Sequence, residues 1–127
     1  MYSRMTAKEV VTPLVEAWMI EDGNPTRKLD LGQVQPDETK DITIRFKAVG
    51  SSVRDLQIKK LEGASQWFDL TMNGKSLKDN DISVRNKEGG TEIQRDNWSE
   101  DVRMRMKIGE GEAGFYQLDL QLAYRSP

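Results

Sequence analysis

Val102-Arg103-Met104-Arg105-Met106-Lys107-Ile108 alternates apolar and basic side chains at every step. Tyr116-Gln117-Leu118-Asp119-Leu120-Gln121-Leu122 alternates again, and Tyr124 continues its apolar row. A period of two puts successive side chains on opposite faces of an extended chain, whereas a helix needs a period near 3.6. Val102, Met104, Met106 and Ile108 therefore share one face, and Arg103, Arg105 and Lys107 share the other. The intervening Gly109-Glu110-Gly111-Glu112-Ala113-Gly114 is turn material. The spacing predicts a hairpin with Met106 opposite Leu118 and Arg105 opposite Asp119. Its inward rows, ending in Tyr116, Leu118, Leu120 and Leu122, are the expected centre of the core. The basic row reads as a solvated face partly neutralised by Asp119, each opposite-charge pair contributing roughly 0.2–1 kcal/mol.

The same alternation recurs upstream. Ile42, Ile44, Phe46 and Ala48 alternate with Thr43, Arg45 and Lys47. Leu56 and Ile58 begin another strand, and a bulge near Lys59-Lys60 would bring Leu61 into line. Phe68, Leu70 and Met72 form a further inward row and run straight into Asn73-Gly74, a strong hairpin signal. Lys28 to Val34 reads as a short strand before a proline turn at residues 35–39, and Ile82 with Val84 as a short edge strand. The apolar spacing from Val10 to Ile20 is helix-like, but Pro13 interrupts it. A strand over residues 14–21 is expected there, followed by a turn from Glu21 to Pro25. Residues 1–9 are polar, lack a period and read as a flexible N-terminal arm. Residues 10–127 read as one domain. About seven to nine short strands, with turns about every 8–12 residues, predict an all-β antiparallel β-sandwich.

Composition removes several functions. The chain of 127 residues suits a single domain. It has no cysteine and no histidine, which excludes disulfides, thiolate metal sites, the usual general base and the commonest transition-metal ligand. A formal net charge of -2 argues against nucleic acid and against a polybasic membrane contact. No run approaches the roughly 20 apolar residues of a membrane span, and the N-terminus lacks an apolar signal core. Synthesis in a cytoplasm without a signal peptide is therefore expected.

Catalytic candidates are poor. Ser51, Ser52, Ser76 and Ser99 lack a histidine, and none stands in a Ser-x-x-Lys context. Asp79, Asp81, Asp96, Glu100 and Asp101 fall on predicted loops, but a glycosidase also needs a cleft with aromatic platforms. The same loops are the better calcium candidates, yet neither matches an EF-hand, and acidic loops are commonly turns bonding their own backbone. The glycine-rich segment at 109–114 carries two glutamates and precedes no helix, so it is no phosphate cradle. No catalytic residue, cofactor or metal is expected. The tryptophans carry more promise. Alternation places Trp67 outside, Trp98 sits in a polar loop, and Trp18 could belong to the core. Tyr2, Arg4 and Met5 of the arm, with Trp67 and Trp98, are the candidate interface residues.

From Lys28 onward the order of features is similar to a known family. Leu29-Asp30-Leu31-Gly32-Gln33-Val34, the polar turn at 35–39, the strand Asp41-Ile42-Thr43-Ile44-Arg45-Phe46-Lys47 and a glycine-containing final hairpin resemble immunoglobulin-like sandwiches of the ASPM/SPD-2/hydin type. A small cysteine-free sandwich with an arm also looks like accessory proteins of tailed-bacteriophage virions. The resemblance implies a non-catalytic structural or binding module that decorates a capsid or tail, with virion location and protein subunits as partners. Self-association into a homo-oligomer is left open. The alternative is a carbohydrate-binding module presenting Trp67, Trp98 and Tyr124 to sugar rings.

Overall fold

The computed structural model describes residues 4–9, 15–29, 38–60, 68–108 and 115–125. The described residues form the strands β1 (Arg4–Glu9), β2 (Val15–Glu21), β3 (Asn24–Lys28), β4 (Thr39–Ala48), β5 (Val53–Ile58), β6 (Phe68–Met72), β7 (Lys75–Ser76), β8 (Ile82–Ser83), β9 (Glu92–Ile93), β10 (Val102–Ile108), β11 (Phe115–Leu120) and β12 (Leu122–Arg125). No helix occurs among the described residues. The chain is an all-β sandwich.

One sheet has six strands in the order β3-β2-β4-β10-β6-β7, every neighbouring pair antiparallel. The other is built on β5, which pairs with β12, β8 and β9. β11 is separated from β12 only by Gln121 and pairs with β1 in parallel. The inward rows of the two sheets meet in one core. Ile44, Phe46, Leu70, Met72, Met104 and Met106 come from the six-stranded sheet, Leu56, Ile58, Ile82, Ile93 and Leu122 from the sheet built on β5, and Leu120 from β11, all buried. The expected core row Val102, Met104 and Met106 is completely enclosed. The side chains of Ile108, Tyr116 and Leu118 lie outside the described residues.

Two of the predicted turns are tight hairpins. Asp22 and Gly23 have φ of 53° and 79°, and Asn73 and Gly74 have φ of 51° and 82°. Two consecutive positive φ values make the type I′ turn whose twist suits a two-residue hairpin. They join β2 to β3 and β6 to β7.

The terminal hairpin does not form. β10 pairs with β4 on one side, Val102 opposite Ile44, and with β6 on the other, Met104 opposite Met72. Both edges of β10 are occupied, and β11 pairs instead with β1 in a two-stranded sheet, while β12 joins β5 in the second large sheet. Arg105 consequently faces Asp41 of β4, not Asp119. Alternation reports which face a residue occupies and carries no information about the neighbouring strand.

Two further expectations are corrected. Arg4–Glu9 is a strand rather than part of a loose arm; its partner is the main chain of β11, which a pattern of side chains does not advertise. The turn expected from Glu21 to Pro25 is shorter, because Asp-Gly closes it and a strand, Asn24–Lys28, starts at once; the strand expected over residues 28–34 lies, from residue 30 on, outside the described residues. β5 carries an irregularity at Asp55, while the bulge expected near Lys59-Lys60 leads to Leu61, which lies outside the described residues. Ala123 pairs with Gln57 but Arg125 with Arg54, leaving an extra residue in β5. Asp55 takes φ of 53° there, its N–H bonds Thr91 O at 3.0 Å, and its carboxylate accepts from Arg125 Nε at 2.9 Å.

Candidate docking surface

The segment 96–99 runs antiparallel along the end of β4. The Asp96 N–H donates to Ala48 O at 2.7 Å, the Ala48 N–H to Asn97 O at 3.1 Å, and the Ser99 N–H to Phe46 O at 2.8 Å. Ser99 points inward and is fully buried. Its hydroxyl accepts from the Phe46 N–H at 2.9 Å and donates to Glu100 O at 2.7 Å. A hydroxyl so enclosed and committed to the main chain is a clasp between strands, unsuited to nucleophilic attack. With Ser99 turned in, alternation turns Trp98 out.

β2 brings a second indole to the same place. Val15, Ala17 and Met19 are buried, so Trp18 faces outward rather than joining the core. The Trp18 and Trp98 ring centroids stand 6.0 Å apart with planes at 79°, an edge-to-face pair. Lys47 Nζ lies 5.4 Å from the centre of the Trp98 ring, a cation–π contact. Both indoles are half-buried.

The charges around the pair are largely matched to one another. Lys28 Nζ bonds Glu16 at 2.9 Å, and Trp18 Nε1 donates to Glu16 at 3.4 Å. The Lys28 hydrogen bond holds the Glu16 carboxyl below its ordinary range; burial opposes this, while Trp18 and the charges of Lys28 and Lys47 add to it. Arg45, opposite Trp18 in register, is paired with Asp101 and its side chain is only 16% exposed. The result is an aromatic patch with a neutralised rim.

Trp98 also forms one wall of a recess of about 410 Å³ at this end of the sandwich, shared with Asn86, Lys87, Glu88, Gln94 and Asn97. Asn86 holds that wall in shape. Its Oδ1 accepts from the N–H groups of Glu88 and Gly90 at 3.0 and 2.8 Å, and its Nδ2 donates to Glu92 O at 2.7 Å. Gly90 is needed here because a Cβ would stand 2.9 Å from Asn86 Nδ2.

Of the residues expected at an interface, only Trp98 is seen in a side-chain environment. Tyr2 and Trp67 lie outside the described residues, as does the segment 109–114. Arg4 and Met5 belong to β1, opposite Phe115 and Tyr116. Trp18 and Asn86 escaped the sequence reading. The signal for Trp18 was present in the buried row Val15, Ala17, Met19; Asn86 carried none, since its partners are main-chain groups of its own loop. The acidic loops send their carboxylates to separate cations. Asp81 accepts from Lys59 Nζ at 2.9 Å and the Lys60 N–H at 2.8 Å, and Asp96 lies 3.5 Å from Arg95 Nε. Among the described residues no three acidic side chains gather as a metal site. No family model, no curated protein and no solved structure matches the chain.

Proposed function

We propose that this protein is a non-catalytic binding module that docks on a larger protein assembly through the outer face of its six-stranded sheet, with Trp98 and Trp18 as anchor. The observation that carries this reading is the half-buried, edge-to-face indole pair inside a ring of matched charges. Large aromatics whose surroundings need little further desolvation are typical of interface hot spots. The loop tied by Asn86 supports it, because a preformed recess loses less conformational freedom on binding. The setting we favour is a tailed-bacteriophage virion, the protein decorating capsid or tail; this part rests on the sequence resemblance. A sugar platform is less favoured, since Lys47 covers a face of Trp98 and the two rings are not coplanar.

The test compares wild type with Trp98→Ala for co-sedimentation with virions from the protein's native source. Wild type pellets with the particles, and the variant loses about 2 kcal/mol or more of binding free energy. Equal binding by the variant removes the indole pair from the proposal. Absence of wild type from the pellet removes the virion, and binding to a glycan array instead would establish the carbohydrate reading.

A further inference from the structure

On the same outer face as the indole pair, β10 presents Arg103, Arg105 and Lys107, all exposed. Only Arg105 is matched: its Nε lies 2.7 Å from Asp41 Oδ1 and its Nη2 3.4 Å from Oδ2. Lys107 stands opposite Asp69 of β6, but that carboxylate is bonded by Lys78 at 3.2 Å. Among the described residues no carboxylate lies within 4.0 Å of the Arg103 or Lys107 side chains. The two carboxylates opposite the row, Asp41 and Asp69, are thus taken by Arg105 and Lys78, which leaves Arg103 and Lys107 unmatched in a chain whose net charge is -2. Beside the row runs a groove of about 470 Å³, lined by Asp41, Thr43, Thr71, Gly74, Arg103 and Arg105 among others. Thr43 is the register partner of Arg103, and Thr71 of Arg105.

We propose that this row and groove take an extended acidic segment of the partner protein, one carboxylate to each of Arg103, Arg105 and Lys107. The proposal rests on the docking reading above and names the chemistry of what docks. Alternate side chains on a strand recur every ~6.6–6.8 Å, and an extended peptide has the same repeat, so a Glu-x-Glu-x-Glu run stays in step with the cations along the whole row. The Thr43 and Thr71 hydroxyls flank the arginines and can bond the peptide's polar groups. Arginine matches a carboxylate with two parallel donors, which sets register as well as affinity. A nucleic-acid strand fits less well, because the groove lining holds no aromatic ring on which a base could stack.

The experiment is a titration of the full chain, isotope-labelled for NMR, with acetyl-Glu-Thr-Glu-Thr-Glu-Thr-Glu-amide at low salt. The expected result is a set of shift changes confined to β10, Thr43 and Thr71. Raising salt to ~0.5 M should weaken it strongly, since the Debye length then falls below 10 Å. The same peptide with Gln for Glu should leave the spectrum unmoved. Arg103→Glu with Lys107→Glu should weaken binding at least tenfold; Arg103→Gln with Lys107→Gln gives the milder control if the reversed pair folds poorly. Arg54→Gln, on β5 of the other sheet, should bind the peptide as wild type does. Equal binding of the Gln peptide, shifts elsewhere on the molecule, or no shifts at all overturns the proposal. Tighter binding of an oligothymidylate of equal charge also overturns it, in favour of nucleic acid. If the peptide fails while Trp98-dependent virion binding persists, the docking function stands and only the acidic partner segment falls.

Discussion

Ser99 joins two strands through one oxygen. Replacing it by Ala leaves the buried Phe46 N–H without an acceptor, which costs about 1–3 kcal/mol. Urea unfolding should show Ser99→Ala with a lower midpoint and an unchanged slope. Asp55 offers a cleaner separation of effects. Asp55→Gly removes the Arg125 pair but relieves the positive φ, whereas Asp55→Ala removes the pair and keeps the strain. Alanine should be the less stable of the two by about 1–2 kcal/mol, and equal stabilities would show that the backbone has relaxed out of the left-handed region. Neither residue announces its role in the sequence. The Ser99 hydroxyl meets an N–H far away along the chain, and Asp55 looks like any polar residue of an alternating strand. Asp22-Gly23 and Asn73-Gly74 were legible because their whole reason for existing lies within two adjacent residues.

At the scale of the element, β10 teaches a different lesson. Its inward row was readable because burial depends on the strand's own alternation. Its neighbours were not, since Gly-rich sequence after a strand suits a hairpin and a crossover alike. The indole pair was half-readable for the same reason: each tryptophan's face follows from its own strand, but their meeting depends on β4 lying between them. Met104→Ala should cost about 2–5 kcal/mol by leaving a cavity in the core, and Arg103→Ala within ~0.5 kcal/mol, both by chemical denaturation. β1 is the element most open to a direct check. Deleting residues 1–9 removes the parallel partner of β11, so amides of Phe115–Leu120 should lose hydrogen-exchange protection while those of β10 keep theirs. Unchanged protection at 115–120 would mean that β1 is not what pairs that edge.

For the molecule as a whole, surface pairs set the response to acid. Asp41 is held below its ordinary range chiefly by the Arg105 hydrogen bond, Asp81 by Lys59 and the Lys60 N–H, and Glu16 by Lys28. Each of these carboxyls binds protons more readily in the unfolded chain than in the folded one. Their stabilising contribution is therefore complete above the ordinary carboxylate range and is lost as pH falls through the lowered folded values. Thermal midpoints should be flat above about pH 5 and decline below it. Asp41→Asn should shallow that decline, and a midpoint that rises on acidification would contradict the assignment. The fold class could be read from composition and period alone because a two-layer sandwich is what remains when every segment alternates. The proposed docking face could not, because it is assembled from β2, β4, β10 and two loops that are distant in the chain.

The parallel pairing of β1 with β11 also orders events in time. β1 leaves the ribosome before β11, which follows about a hundred residues later. At ordinary synthesis rates of about 5–20 residues per second, β1 waits on the order of 5–20 s for its partner. Throughout that interval its main-chain groups are available to the β11 of a neighbouring copy whose own β1 has not yet docked. Expression level and translation speed, rather than sequence, would then decide how much of the protein emerges as exchanged pairs.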